Sequence, residues 1–415
     1  MTQRSQASRF RAAPSSPQTG RHAFRLLFLR ILGLVTAPLV PTRGQPLDAA
    51  RVLVIRPDHL GDALFTSPAL RALRQILPAS EITCLVGPWA ASVYRRYPYA
   101  DKVVECEFPA FSGRAKGSPW RPYSVLLATA KELRAEQYDL ALNLRFDFWW
   151  GALLAHDAAV PLRLGYAQPE CRPFLNRPVG YEPGRHEVAQ NLKLVGALVA
   201  DDPLERARWL EAALAGARLD FPLTDAEREA AVAILETVGG SGRPIVAIHP
   251  GTRGRAKLWT ADGWAAVGDA LVAGLGATVI ITGSGDESGL CAEVAGRMKH
   301  EVAVIAGRTT VGELVALFER CSLVLGVDSG PLHMAVAAGT PTVHLFGPSD
   351  DRAFGPFGDS NLHAVVRSDV ECAPCHRFDW PAEQMAEHDC MRRIVPGTVA
   401  DAAMRVLSAS PARLG

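Results

Sequence analysis

Three groups of residues have the types and spacing to do chemistry. The first is Asp328-Ser329-Gly330-Pro331-Leu332-His333, which lies between two apolar runs, Leu323 to Val327 and Thr342 to Phe346. The runs read as buried strands, and Pro331 to Ala338 reads as a helix. Pro331 suits its first turn, where a missing N–H is no loss, and Gly339 suits its end. Free amides and the positive end of the helix dipole make a place for an anion such as a diphosphate, and Gly330 lets it approach the backbone. The alternative is an ordinary strand-to-helix turn in which Asp328 or Ser329 is only a cap and His333 a packed side chain.

The second group follows another apolar strand, Pro244 to His249, and reads His249-Pro-Gly-Thr-Arg-Gly-Arg-Ala-Lys-Leu-Trp259. Small residues followed by cations suit a polyphosphate: close backbone approach, a hydroxyl donor at Thr252 and a point charge at Lys257. A solvated basic loop is the other reading. One strand further on, Thr278 to Thr282 ends in Gly283-Ser-Gly-Asp-Glu287, where Glu287 is placed either to hold ribose hydroxyls or to cap a helix. The third group is Asp62, just after Gly61 and near the first turn of a helix that runs to about Leu77. It is a general base facing a cleft or a residue favoured there by the dipole.

All three groups need a parallel sheet to hold them. Short apolar strands at Arg51 to Ile55, Glu81 to Val86, Lys102 to Cys106, Asp139 to Leu144 and Arg163 to Tyr166 alternate with helical segments. The pattern resumes from Thr224, a plausible cap for a helix to about Val238, through Glu301 to Ala306 and a helix at Val311 to Arg320. Repeated βα order predicts α/β architecture with open parallel sheets, whose ligands gather at the strands' carboxyl ends. A chain of 415 residues exceeds what one core usually holds. The expected division is a leader (1–50), a first Rossmann-like domain (51–205), a connection (206–223), a second Rossmann-like domain (224–395) and a terminal helix with tail (396–415). Phe108 to Tyr123 is a loop long enough to suggest binding or a lid.

Net charge is +1, but residues 1–50 hold seven Arg and one Asp, leaving 37 basic and 42 acidic residues in a body near −5. That body has no basic stripe interleaved with aromatics, so nucleic acid is not an expected partner. In the leader, Phe24 to Val40 is about 17 residues long with Arg25 and Arg30 inside it, a poor membrane span. It reads as a segment lying on an anionic membrane face, with a signal peptide or an unstructured extension as rivals. Eight cysteines in a chain this long are no secreted disulfide framework. Cys372 and Cys375 form a CxxC pair, and His388 and Cys390 follow. A structural zinc or a disulfide is one reading of them, although a full four-ligand set with a second close pair is absent.

Leu60-Gly-Asp62 with the following Pro68, the His249-Pro-Gly-Thr to Lys257-x-Trp259 loop, and Asp328-Ser-Gly-Pro-Leu-His333 followed by Phe346-Gly-Pro-Ser-Asp350 together resemble the heptosyltransferases of glycosyltransferase family nine. The resemblance runs from about Arg51 to about Leu407. It implies a GT-B architecture, two doubly wound domains facing a cleft, with the nucleotide sugar on the second and the acceptor on the first. It also implies inverting, metal-independent transfer from ADP-heptose to the lipopolysaccharide inner core, on the cytoplasmic face of the inner membrane, with no cofactor.

Residue by residue, the resemblance makes Asp62 the base and gives Thr252, Lys257, Glu287, Asp328, Ser329, Gly330 and His333 to the donor. In this architecture the terminal helix often crosses back to the first domain. Two departures stand out: Arg-Gly-Arg-Ala between Thr252 and Lys257 is unusually basic, and Ser329 replaces a common Thr. A different donor or acceptor, a nucleotide-sugar epimerase, and a non-catalytic binding protein remain the alternative readings.

Overall fold

The computed structural model describes residues 16–36, 50–109, 111, 120–239, 242–378, 380, 384, 385 and 388–410, with side chains from residue 23 onward. A leading helix, α1 (Ser16–Thr36), is followed by β1 (Arg51–Arg56), α2 (Leu60–Ile76), β2 (Glu81–Val86), α3 (Ala91–Tyr94) and β3 (Lys102–Glu105). Next come α4 (Arg121–Ala135), β4 (Leu140–Asn143), α5 (Trp149–Asp157), β5 (Leu162–Tyr166), β6 (Arg177–Val179), α6 (Glu187–Gly196) and α7 (Pro203–Ala215). The later half holds α8 (Asp225–Val238), β7 (Ile245–His249), α9 (Ala261–Leu275), β8 (Thr278–Ile281), α10 (Ser288–Arg297), β9 (Ala303–Val304) and α11 (Val311–Glu319). It ends with β10 (Leu323–Val327), α12 (Gly330–Ala337), β11 (Thr342–Phe346), α13 (Asp351–Phe354), β12 (His363–Arg367), α14 (Asp389–Arg392) and α15 (Pro396–Ser408).

The strands form two six-stranded sheets, β3-β2-β1-β4-β5-β6 and β9-β8-β7-β10-β11-β12, with every pairing parallel. Both sheets therefore have the doubly wound order in which the winding reverses between the first and fourth strands. At that reversal the flanking connections leave in opposite directions and open a crevice. Val52 and Val54 pack on one face of the first sheet and Leu53 and Ile55 on the other, so each sheet is covered on both sides. This is why the strands read as continuous apolar runs.

Several sequence expectations need correction. The edge strands β6 and β12 were not foreseen, because one is short with Pro178 inside it and the other mixes His and Arg with its apolar residues. The terminal helix α15 does not cross back. It packs on α9, β11 and β12, burying Val399, Ala403, Val406 and Leu407 in the core of the second sheet. Helix α7 packs on α6, so the connection narrows to about residues 216–224. Of the Phe108 to Tyr123 loop, residues 110 and 112–119 lie outside the described residues, as do leader residues 1–15 and 37–49.

The leader contains a docked helix. Leu29 of α1 is buried against the first half, Gly33 meets Pro173 where a Cβ would not fit, and Arg25 pairs with Glu170 at 3.1 Å. Burying a leucine fully contributes about 1.5–3 kcal/mol. The outward side of α1 exposes Phe24, Leu27, Phe28, Ile31, Leu34 and Val35. Among the described residues no helix is long and apolar enough to cross a membrane.

The halves are strapped together away from the sheet edges. Asp220 in the connection accepts from Arg71 Nε at 3.1 Å and from the Tyr99 hydroxyl at 2.8 Å. Arg96 of the first half donates to Glu227 of α8 at 2.9 Å and to Pro222 O at 3.1 Å. The Arg96 guanidinium, followed by the Thr224 backbone N–H, holds the Glu227 carboxyl down to about 2, against the opposing effect of burial. A depressed carboxyl stabilises the fold above its unfolded value, near 4.5, and loses that contribution as pH falls from there toward 2. Glu227→Gln is therefore expected to lower unfolding stability by about 1–2 kcal/mol at pH 6, and by progressively less toward pH 3. Urea unfolding at the two pH values measures this, and an equal loss at both would show that the ion pair contributes nothing.

Candidate functional site

At the carboxyl end of β10 the chain turns through Asp328 and Ser329 into α12. Lys257, from the loop after β7, places Nζ 2.6 Å from Asp328 Oδ2, and His333 Nε2 stands 3.5 Å from Oδ1. Burial opposes ionisation of Asp328, but the Lys257 ammonium and the His333 ring outweigh it and hold the carboxyl well below the usual carboxylate range. Asp328 is thus a buried anion neutralised by a cation from the neighbouring strand's loop. Ser329 occupies the N-cap position without capping. Its hydroxyl, His333 Nδ1 and the Ser349 hydroxyl after β11 are buried and have no partner among the described residues. Three such atoms thus gather at one sheet edge, and buried polar groups ordinarily have a partner.

The matching edge of the first sheet carries a charge cluster that sequence reasoning missed. Arg56, only 2% exposed, ends β1 and directs Nε to Asp58 at 2.7 Å, Nη2 to Glu187 at 3.2 Å and to Asp62 at 3.4 Å, and Nη1 to Leu144 O at 2.6 Å. Arg145, beyond β4, also pairs with Asp58. Arg145 also pairs with Asp147 at 2.6 Å, so two guanidiniums serve four carboxylates and negative charge is in surplus. Asp62 takes the consequence: burial, then the neighbouring Asp58 carboxylate, push its carboxyl up to about 7 despite Arg56 and Arg145. Its side chain remains 28% exposed, so it reaches solvent from inside the cluster. The sequence signal was a charged residue directly after an apolar strand, Arg56, two residues before Asp58.

These edges face each other. A Cβ on Gly61, next to Asp62, would lie 3.3 Å from His333 and 3.5 Å from the Gly330 Cα, while one on Gly330 would lie 3.1 Å from Leu60. The starts of α2 and α12 therefore meet backbone to backbone. Phe65 of α2 stacks edge-on against His333 at 4.6 Å and against His186 at 5.1 Å. Arg253, in the basic loop, donates to the His59 ring at 2.8 Å, and burial together with that guanidinium lowers His59 to about 4. His59 is accordingly a neutral acceptor, and the basic loop is tied to the first half.

Thr252 lies half-buried in the same loop as Lys257. Glu287 forms a capping box with Ser284: its Oε2 accepts from the Ser284 N–H at 2.8 Å and from the hydroxyl at 2.9 Å. The helix-capping reading of Glu287 is therefore the local geometry, although its carboxylate also lies over Gly251 and 4.0 Å from His249 Nε2. Lys257, Asp328, Ser329, Gly330 and His333 come together at one edge, with Asp62 across from them. The cysteine group lies beside β11: Cys375, His388 and Cys390 converge, all eight cysteines are unpaired, and Cys372 is exposed. Burial, then the neighbouring Cys375 and Cys372 sulfurs, push the Cys390 thiol up to about 12.

Residues 126–385, more than half of the chain, match the family described as glycosyltransferase family 9 (heptosyltransferase). Similar proteins include lipopolysaccharide heptosyltransferase 3 of Escherichia coli, 28% identical over 73% of this chain and 85% of its own length. Lipooligosaccharide heptosyltransferase 2 of Campylobacter jejuni is 24% identical over 87% of this chain and 99% of its own. Among solved structures, a family 9 glycosyl transferase from Veillonella parvula superposes with a TM-score of 0.68 at 23% identity, covering 87% of this chain and 98% of its own. The E. coli ADP-heptose heptosyltransferase II does so with 0.65 at 20%, covering 87% and 99%. These last two likenesses establish the shared two-sheet GT-B fold.

Removing Asp58's charge takes away the strongest opposing carboxylate and lets Arg56 and Arg145 act more strongly on Asp62. Asp58→Asn is expected to lower the Asp62 titration midpoint from about 7 by one unit or more, on the order of 1.4 kcal/mol. Carbon-13 NMR of labelled aspartates, with Asp62→Asn to assign the signal, follows the titration. An unmoved midpoint would show that Asp58 has no hold on Asp62.

Proposed function

The chain belongs to glycosyltransferase family 9, the heptosyltransferase family, and from that membership we propose that it moves a heptose from ADP-heptose to a lipopolysaccharide inner-core or related glycolipid acceptor. The transfer inverts the anomeric carbon and uses no metal ion at the reacting centre. One observation carries this reading. Asp62 stands on the first sheet's edge, beside the Gly61 contact with Gly330 and His333, while Lys257 and the start of α12 stand on the other edge. A base and an anion site therefore confront each other across a gap.

In the proposed reaction the donor diphosphate lies against the backbone amides that open α12, with Lys257 turning part of its charge from Asp328 toward it. The free Ser329 and Ser349 hydroxyls complete its hydrogen bonds. Thr252 reaches the phosphates or the sugar from the same loop. His333 Nδ1, the ring nitrogen turned from Asp328, accepts from a hydroxyl of the sugar. Glu287 retains Oε1, which the cap does not use, to accept from a ribose hydroxyl. Asp62 takes the proton from an acceptor hydroxyl as that oxygen attacks the anomeric carbon on the face opposite the diphosphate. Negative charge then grows on the leaving group, where Lys257 and the amides already point, and such preorganised donors are worth about 3–4 kcal/mol each.

The acceptor side fits a substrate held at a membrane. Helix α1 docks by one face and turns a continuous apolar stripe outward, with Arg30 beside it. That geometry supports a peripheral seat on an anionic bilayer, on the inner face of the inner membrane.

Asp62→Asn is expected to reduce acceptor-dependent ADP release by about 10²–10⁴-fold, while calorimetry finds ADP affinity nearly unchanged. Wild-type turnover in this variant would remove Asp62 from the chemistry. ADP-heptose conversion without acceptor would replace transfer with epimerisation. For the wild-type enzyme, kcat/KM should rise with pH through about 7, the range in which Asp62 loses its proton.

A further inference from the structure

Two close pairs of ligand-type residues, Cys372-x-x-Cys375 and His388-x-Cys390, frame the segment after β12. Cys375 Sγ lies 3.5 Å from His388 Nε2, and Cys390 Sγ lies 3.2 Å from the same nitrogen. The ligand atoms of these three residues all fall within 4.8 Å of one another. In a tetrahedral zinc site with bonds of about 2.3 Å to sulfur and about 2.0 Å to nitrogen, a sulfur and a nitrogen stand roughly 3.5 Å apart. The observed separations are close to that. The second close pair that the sequence reading finds absent is His388 with Cys390.

The surroundings are built around this convergence. A Cβ on Gly347 would lie 3.0 Å from Cys390 Sγ, so the absent side chain admits the thiol. The Trp380 ring lies 4.8 Å from the His388 ring, and the Arg377 guanidinium covers Trp380 at 3.9 Å, fixing the imidazole's orientation. The Ser368 hydroxyl donates to Cys390 O at 3.0 Å, and His376 N–H donates to Pro348 O at 2.9 Å. The described residues of this segment between β12 and α14 form no strand or α-helix. Irregular stretches of that length are uncommon inside a compact fold, and a metal ion would tie this one down.

We propose that Cys372, Cys375, His388 and Cys390 form a tetrahedral site for a structural zinc ion. Three are already gathered, and Cys372, exposed and three positions before Cys375, supplies the fourth ligand. A Cys3His set has no open position, so the ion is structural and takes no part in the transfer. Its effect reaches the donor edge nonetheless. The stapled segment carries Phe378, whose ring lies 5.5 Å from Lys257 Nζ, and it is bonded to Pro348, next to Ser349. The proposal does not depend on which sugar or acceptor the enzyme uses.

Metal content of the full chain, purified without an affinity histidine tag, is the first measurement, with about one zinc per chain expected. Chelated protein titrated with Co²⁺ should develop the charge-transfer and d–d bands of tetrahedral thiolate coordination, which Zn²⁺ then abolishes. Cys372→Ser, at an exposed position, should keep the wild-type circular dichroism and weaken Co²⁺ binding at least tenfold, and Cys390→Ser should abolish it. Denatured, unreduced protein should show eight reactive thiols. An octahedral Co²⁺ spectrum, fewer thiols through a disulfide, stoichiometric iron in place of zinc, or undiminished binding by Cys372→Ser would each overturn the assignment.

Discussion

Two helix starts meet in this protein with only glycine backbone between them. Gly61 lies in the first turn of α2 and Gly330 opens α12, and a Cβ at either would press within 3.1–3.3 Å of the other half. Each helix presents roughly half a positive charge at that end, so bringing the two together is unfavourable unless negative charge lies near both. Asp62, in the first turn of α2, and Asp328, just before α12 and paired with Lys257, stand at those two starts. The same field that requires those carboxylates makes the gap a place for a diphosphate. Stability of the closed arrangement and affinity for an anionic ligand thus arise from one electrostatic arrangement.

The two carboxylates are handled differently, and the difference sets their chemistry. Asp328 has a dedicated cation in Lys257 and stays ionised. Asp62, raised first by burial, shares Arg56 with Asp58 and Glu187, while Arg145 serves Asp58 and Asp147, so its proton is gained and lost near neutrality. Arg56 comes from β1, Arg145 from beyond β4 and Glu187 from α6. All three reach the crevice where the winding of the first sheet reverses. The tuning of the base is therefore a property of the topology, since no local segment contains the whole cluster.

Much of this was legible in the sequence because the buried parallel strands leave a strong signal. Leu323 to Val327 and Thr342 to Phe346 have the boundaries the apolar runs suggest, and Thr224 is the cap expected of it, closing a capping box with Glu227. Less legible were features whose cause lies far along the chain. Arg56 reads as an ordinary strand-end charge until Glu187, 131 positions away, is placed beside it. The docking of α1 depends on Pro173 and Glu170, and the return of α15 to the second sheet depends on α9. Glu287 shows a further limit: one carboxylate can satisfy a capping pattern and a ligand pattern together, and spacing alone cannot rank them.

The opposed geometry of base and diphosphate is tested most directly by a crystal structure with ADP-heptose bound. The expected result has the diphosphate within hydrogen-bond reach of Lys257 Nζ and the backbone amides that open α12. The Asp62 carboxylate should stand on the other face of the sugar, with space for one hydroxyl between it and the anomeric carbon. A diphosphate held away from α12, or Asp62 on the leaving-group side of the sugar, would contradict it.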